Sequence, residues 1–288
     1  MKLILSLLIL FVFISCSSND KSDFDLNQNL YDKDSYDEIE LYLNAKKFAK
    51  DRQYEMAFKE LDLLELIFPS SQYISKGILL NAYIHFLNKD YEKSRALVEN
   101  FKKYYPGNED IVYANYLEAM TYYILIKKSN YTQRNSHIAL EKFNFILNAY
   151  PNSDYEIDII TKIQIINNHL AKNKLSTAKY YIEKNNIVGA LVYLKDIFEN
   201  YNTSLSIEET LFLLSSIYKS INEIELARYY TATLGYNFPE SIWYKKSYNL
   251  IYGLDDIANK ESWIKKFNPI KLIISNKKEE DDTIQIIN

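Results

Sequence analysis

Small and large apolar residues recur at fixed distances along this chain, each time before a similar aromatic mark. Four marks are an aromatic residue followed by proline and the fifth keeps the aromatic residue alone: Phe68-Pro69, Tyr105-Pro106, Tyr150-Pro151, Phe238-Pro239 and Tyr201-Asn202. The position 12 residues before the end of each mark is always small: Ala57, Ser94, Ala139, Ala190 and Ala227. The position five residues before it is large and apolar: Leu64, Phe101, Ile146, Ile197 and Leu234. This spacing predicts one amphipathic helix that ends at each mark.

A second set of columns lies upstream and predicts a partner for each helix. Small residues stand 24 positions before the marks, once eight extra residues near 127–133 are allowed for in the third copy: Ala45, Ala82, Ala119, Ala178 and Ser215. Three positions after each of these comes an aromatic residue or a histidine: Phe48, His85, Tyr122, Tyr181 and Tyr218. Small side chains let two helices cross closely, and the larger side chains fill the neighbouring space. The columns match the tetratricopeptide (TPR) pattern, so we predict that all these residues serve repeat packing.

The predicted fold is all-α: an α-solenoid of five tetratricopeptide-like helix pairs with a C-terminal capping helix, over residues 36–252. The copies span about 36–69, 70–106, 111–151, 153–201 and 206–239, and the cap about 241–252. In the fourth copy Ser153 and Glu156 form a capping-box pattern, which predicts one long helix from there to about Lys184. Residues 253–288 are predicted to be a C-terminal extension that is partly disordered.

The amino terminus has the pattern of an export signal. Lys2 precedes an apolar run from Leu3 to Ile14, interrupted only by Ser6 and too short to cross a bilayer core of about 30 Å. The only cysteine, Cys16, lies at the end of this run in Phe13-Ile14-Ser15-Cys16, which resembles a bacterial lipobox, where the cysteine becomes the acylated first residue. We therefore predict a lipoprotein signal peptide over 1–15, lipidation at Cys16 and a flexible, acidic tether over 16–35. The alternative is an incidental thiol in a discarded leader.

Composition excludes several classes of function. Five glycines and five prolines in 288 residues are too few for the turns of a β-rich fold or for glycine-rich phosphate loops. A net charge of −4 lacks the basic excess typical of nucleic-acid binding. The three histidines, His85, His137 and His169, show no metal-ligand spacing. We predict no metal, no cofactor and no catalytic residue, so the protein is not expected to be an enzyme.

The 27 tyrosines are unusual, and two interpretations stay open. They reflect either an AT-rich genome or a recognition surface, since tyrosine offers flat apolar area with a hydroxyl group. The first helices of TPR pairs line a groove that binds peptides. On these grounds, five residues of first helices are candidate contacts with a partner or peptide: Tyr42, Lys46, Tyr83, Tyr116 and Tyr123. The basic pair Lys102 and Lys103 is added to them. The alternatives are that the tyrosines fill space between repeats and that the lysines favour a helix dipole.

The whole pattern resembles the BamD (ComL) family, the TPR lipoproteins of the β-barrel assembly machinery. The resemblance rests on the lipobox and tether, on five repeats with an insertion in the third, and on an elongated first helix in the fourth. Three local segments add to it: Tyr54-Glu55-Met56-Ala57, Tyr150-Pro151-Asn152-Ser153-Asp154-Tyr155 and Ala178-Lys179-Tyr180-Tyr181. The third-repeat loop departs from the family in keeping only Arg134 of an Asp/Arg-rich stretch, and about 50 residues at the C-terminus match no familiar part.

The resemblance implies a non-enzymatic scaffold, lipid-anchored at the periplasmic face of the outer membrane. Its C-terminal repeats would dock onto the POTRA region of the BamA barrel protein, and its N-terminal groove would receive unfolded outer-membrane proteins. The alternatives are another periplasmic TPR adaptor, for cell-envelope or cell-division complexes, and a hydrolase with TPR decoration. The latter would need a catalytic domain, and too few residues follow the repeats to form one.

Overall fold

A computed structural model describes residues 35–126 and 133–253 of the chain. Within those residues there are eleven α-helices and no strand, which confirms the predicted all-α fold class, and four of the predicted helix pairs are in direct contact. The helices are α1 (Glu38–Lys50), α2 (Tyr54–Ile67), α3 (Ile74–Leu87), α4 (Tyr91–Tyr104), α5 (Ile111–Tyr123), α6 (Arg134–Ala149), α7 (Glu156–Glu183), α8 (Ile187–Asn200), α9 (Ile207–Ser220), α10 (Ile224–Asn237) and α11 (Ile242–Tyr252). The predicted signal peptide, Cys16, nearly all of the tether and of the extension, and most of the third-repeat insertion lie outside the described residues.

The chain divides into two compact units between Thr121 and Tyr122, in the last turn of α5. The first unit contains the pairs α1–α2 and α3–α4 and most of α5. The second contains α6, the pairs α7–α8 and α9–α10, and α11, which packs on both helices of the last pair. In both units the residues in the small columns are fully buried: Ala45, Ala57, Ala82, Ser94, Ala119, Ala139, Ala178, Ala190, Ser215 and Ala227.

The aromatic column packs beside these crossings. In the first unit the His85 ring stacks on Phe58 at 4.6 Å, and Phe48 packs against the cluster around Ala45 and Ala57. In the second unit Tyr181 stacks on Tyr193 at 5.7 Å and Tyr218 on Tyr230 at 5.5 Å. Tyr122 is half-buried at the end of α5. Each stack adds to apolar burial in the way offset aromatic pairs do.

In four helix pairs, the turn between the two helices has the same backbone conformation. One residue adopts a left-handed conformation, with φ between 57° and 66°: Arg52, Lys89, Asn185 and Asn222. The next residue donates its N–H to the carbonyl of the aromatic-column residue five positions earlier: Gln53 to Phe48, Asp90 to His85, Asn186 to Tyr181 and Glu223 to Tyr218. This is the hydrogen bond of a Schellman helix ending. The aromatic column therefore also marks where the first helix of a pair ends.

Helix α7 has 28 residues, which corresponds to a length of about 42 Å. The capping box predicted for its start is not formed by Ser153. Asn152 is left-handed, with φ of 61°, and its N–H donates to the Glu156 carboxylate at 2.7 Å. The Glu156 carboxylate thus accepts from the N–H of Asn152 and not from that of Ser153, which the sequence pattern indicates. The helix begins at Glu156 itself.

Candidate peptide-binding cleft

A cleft of about 680 Å³ lies in the first unit, between α1, the turn that follows it, and α3. Its lining combines cations, phenol rings and aliphatic side chains: Lys46, Ala49, Lys50, Arg52, Tyr54, Leu80, Tyr83 and Leu87. The volume falls within the range that binding clefts for small ligands and short peptide segments occupy.

Helical periodicity places these side chains together. Lys46 and Lys50 are one turn apart on α1, and Ala49 between them is buried and short, which leaves room above it. On α3, Leu80, Tyr83 and Leu87 follow the i, i+3, i+7 spacing of one helix face. The fully buried contact residues Ala45 and Ala57 belong to the cluster that holds α1 against α2, so one wall of the cleft stands on a packed crossing.

The charge of the cleft is positive and unbalanced. None of the described carboxylates forms an ion pair with Lys46, Lys50 or Arg52, and all three side chains are exposed. Lysines elsewhere behave differently: Lys102 lies 2.5 Å from Glu118, Lys174 2.5 Å from Asp196, and Lys179 2.6 Å from Glu209. The left-handed turn fixes the backbone of Arg52 at the mouth of the cleft. Three cations beside phenol rings can bind a segment that carries both a carboxylate and an aromatic side chain.

The structure brings only two of the seven predicted contact residues into this cleft, Lys46 and Tyr83. Tyr83 keeps 37% of its surface exposed. The predictions missed Ala49, Lys50, Arg52, Tyr54, Leu80 and Leu87. The i+4 spacing of Lys46 and Lys50 and the face shared by Leu80, Tyr83 and Leu87 were visible signals for most of these.

The other predicted contact residues lie elsewhere. Tyr42 stacks on Tyr73 at 5.5 Å, and burial raises its pKa, against the opposing effect of Lys76. Lys102 is bound to Glu118 on α5, and Lys103 lies over the Tyr104 ring at 5.1 Å.

The two remaining candidates are on α5. Tyr116 is half-buried. Tyr123 meets Phe143 edge-on at 6.1 Å in the second unit, with Lys162 over its ring. Their partners within the chain favour a packing role.

The described residues contain neither a cluster suited to a metal ion nor a helix suited to crossing a membrane. No cluster of three or more His, Cys, Asp or Glu side chains is placed to hold a metal ion there. In the same part of the chain, no helix combines the length and apolar character that crossing a bilayer requires.

Comparison with known proteins gives a consistent set of relatives. The family model described as YfiO, outer membrane lipoprotein, matches residues 34–234. The outer membrane protein assembly factor BamD of Rickettsia prowazekii is 32% identical over 216 residues, which cover 75% of this chain and 84% of the relative. BamD of Caulobacter vibrioides is 30% identical over 213 residues, covering 73% of this chain and 70% of the relative. BamD of Neisseria gonorrhoeae is 26% identical over 211 residues, covering 70% and 79%.

The matched region runs from just before α1 into α10 and contains the whole cleft. Among solved structures, PilW, a widely conserved type IV pilus biogenesis factor, aligns with 73% of this chain and 97% of its own at 15% identity and a TM-score of 0.35. The family match and the relatives together confirm the resemblance found in the sequence. The chain belongs to the YfiO family of outer membrane lipoproteins, the family of the BamD assembly factors.

Proposed function

We propose that this protein is a non-enzymatic scaffold for the assembly of outer-membrane proteins, held by a lipid on Cys16 at the periplasmic face of the outer membrane. Family membership and the role of the relatives as outer membrane protein assembly factors support this proposal. The observation that carries the binding role is the cleft itself, where Lys46, Lys50 and Arg52 stand beside two tyrosines without a described carboxylate partner.

The cleft binds aromatic segments of unfolded outer-membrane proteins that carry a carboxylate. Leu80 and Leu87 offer apolar surface to an aromatic side chain, and Tyr54 and Tyr83 add ring faces. The cations attract the carboxylate, and their long side chains adapt to several related segments.

A direct binding measurement tests the cleft. A fluorescent peptide with an aromatic residue beside a carboxylate is titrated with the full chain, its Lys50→Glu variant and a control Lys47→Glu. Lys47 is exposed on the same helix but does not line the cleft, so both variants change net charge equally. We expect Lys50→Glu to weaken binding about tenfold or more, and the control to change it less than twofold. Equal loss in both variants would show that only overall charge matters.

The second unit offers a surface for the POTRA region of a BamA-like partner. Ile157 on α7 is 83% exposed and Leu205 in the α8–α9 loop is 88% exposed. Hydrogen bonds hold this loop against α7, since Asn168 accepts from the Leu205 N–H at 2.9 Å and Gln164 donates to the Thr203 carbonyl at 3.0 Å. Ile160, one turn after Ile157, extends the same apolar face. Exposed aliphatic side chains on a fixed backbone are typical of a docking surface.

Affinity purification from outer membranes tests the partner. We expect a BamA-like protein to co-purify in near-equal amount with the wild-type chain and to be largely lost with Ile157→Glu combined with Leu205→Glu. Val188→Glu combined with Val192→Glu, at two other exposed aliphatic residues of the second unit, is the matched control. Recovery of a different set of envelope proteins, without the barrel protein, would favour the adaptor alternative.

Membrane fractionation tests the anchor. The Cys16→Ala variant should leave the membrane pellet in cells where the partner has been depleted, since no acyl chain would then hold it. Retention of this variant in the pellet would contradict lipid anchoring.

A further inference from the structure

The cleft and a segment of the same chain have complementary chemistry. Residues 20–34 contain five aspartates and two lysines, and they include the run Asp23-Phe24-Asp25-Leu26. That run offers two carboxylates on either side of an aromatic ring, followed by a leucine. The cleft offers three cations beside two tyrosines and two leucines.

We propose that residues 23–26 occupy the cleft as an internal competitor and leave it when an external segment binds. This inference rests on the ligand class given to the cleft under the proposed function. Asp23 and Asp25 take the place of the external carboxylate beside Lys46, Lys50 and Arg52, and Phe24 takes the place of the external aromatic side chain.

The length of the connecting chain permits this contact. Eleven residues lie between Leu26 and Glu38, the first residue of α1, and this stretch spans about 40 Å when extended. Lys46 and Lys50 lie eight and 12 residues into the helix, about 12 and 18 Å from its start. The segment can therefore turn back along α1 with residues to spare. A tethered ligand at this distance has an effective concentration in the millimolar range, enough for a weak contact to be occupied.

Charge separates this occupant from the other terminal segment of the chain. In residues 254–288 the aromatic side chains Trp263 and Phe267 flank the basic pair Lys265-Lys266, whereas the acidic run 279–282 contains no aromatic residue. The cations of the cleft repel the part of that segment that carries its aromatic side chains. Residues 20–34 are the part of the chain outside the described structure whose charge and aromatic content both fit.

Site-specific photo-cross-linking tests the proposal in the full chain. p-Benzoylphenylalanine replaces Tyr83 in the cleft or, as a control, Tyr104, which is 64% exposed in the same unit but does not line the cleft. After irradiation of a mixture of ¹⁴N- and ¹⁵N-labelled protein, mass spectrometry should find same-isotope adducts between position 83 and residues 20–31. Position 104 should give at least tenfold fewer. Adducts at 83 that map elsewhere, or that join the two isotopes, would overturn the proposal.

Charge reversal in the segment supplies the second arm. Asp23→Lys with Asp25→Lys should reduce the adducts at position 83 at least tenfold, while Asp281→Lys with Asp282→Lys should leave them unchanged. Asp23→Asn with Asp25→Asn should also raise the affinity of the full chain for the external peptide about threefold or more, since the competitor is weakened. Unchanged cross-linking and affinity would contradict the competitor. If the external peptide bound neither the wild type nor any variant while the wild-type adducts at position 83 were still formed, the proposed ligand of the cleft would be contradicted instead.

Discussion

The second and fifth helix pairs both cross at an alanine and a serine, but the two serine hydroxyls differ in their hydrogen bonds. In the first unit α3 and α4 meet at Ala82 and Ser94, and in the second α9 and α10 meet at Ser215 and Ala227, all fully buried. Among the described residues the Ser94 hydroxyl has no hydrogen-bond partner. The Ser215 hydroxyl, by contrast, donates to the Ala227 carbonyl at 3.0 Å and pairs with the Thr231 hydroxyl at 2.7 Å.

The hydroxyl chain of the fifth pair continues into the capping helix. The Thr231 hydroxyl lies 2.5 Å from that of Ser247 on α11, so one buried threonine joins three helices. A buried hydroxyl without a partner costs free energy that a paired one recovers. The comparison shows that small volume is the common requirement of a crossing, whereas hydrogen bonding specifies only the crossing that also receives the cap.

Gly235→Ala should have the largest effect, because the Tyr244 ring of α11 packs directly against the backbone of α10 there. A Cβ atom at this position would lie 2.5 and 2.7 Å from ring atoms of Tyr244, whose side chain is 1% exposed and cannot move aside. The pKa of Tyr244 is raised to about 12, mainly by burial and to a smaller extent by the neighbouring Tyr248 and Tyr252. We expect a loss of about 2–3 kcal/mol in the free energy of unfolding, measured by urea denaturation with circular dichroism.

Gly77→Ala is the matched control in the first unit. Its Cβ would meet Leu64 and Leu61 at 3.4 and 3.6 Å, which are ordinary contact distances. Because alanine favours a helix interior by up to about 1 kcal/mol over glycine, this variant should be neutral or more stable. Equal destabilisation by both variants would mean that the close approach of α11 is misplaced.

Thr231→Val should have the next largest effect, because it removes the middle hydroxyl of the buried chain and keeps the shape. The Ser215 hydroxyl keeps its hydrogen bond to the Ala227 carbonyl, but the Ser247 hydroxyl loses its only hydrogen-bond partner among the described residues. We expect a loss of about 1–2 kcal/mol, measured in the same way.

Ser94→Ala should be within about 0.5 kcal/mol of wild type, because it deletes a hydroxyl that makes no described hydrogen bond. A larger loss for Ser94→Ala than for Thr231→Val would reverse the comparison between the two crossings.

The columns of small residues could be predicted from the sequence. A close crossing of two helices limits the side-chain volume at that position, so small residues recur at a fixed spacing in each repeat. The hydroxyl chain could not be predicted, because Thr231 and Ser247 are 16 residues apart and belong to no column. The turns show the same division. Asn185 and Asn222 indicate left-handed residues, but Arg52 and Lys89 adopt that conformation with side chains that do not favour it, since the flanking helices impose the turn.

The cleft was predicted only in part, for a related reason. Helical periodicity indicates that Lys46 and Tyr83 face the groove, because each lies on the first helix of its pair. Arg52 reaches the cleft through its left-handed backbone, and Tyr54 starts the second helix, which the groove rule does not include. Lys102 shows the converse error of a rule based on composition: the basic pair looked available, yet a glutamate on the next helix binds its first member.

The smallest expected effect is a pH dependence confined to the first unit, because His85 occupies a column position that tyrosines fill in the second. Burial lowers the pKa of His85, with Asp90 raising it in part and Lys93 lowering it further. The folded chain therefore binds fewer protons than the unfolded chain below about pH 6.5, where an unfolded histidine titrates. The contribution of neutral His85 to stability is complete above that pH and declines as the pH falls.

His85→Phe keeps a ring to stack on Phe58, so its stability should change less between pH 7.5 and 5.5 than that of the wild type. Hydrogen exchange of the α3 amides reports this difference directly, with the α9 amides beside Tyr218 as the internal reference. Equal acid sensitivity of α3 in both proteins would assign the effect to the carboxylates instead.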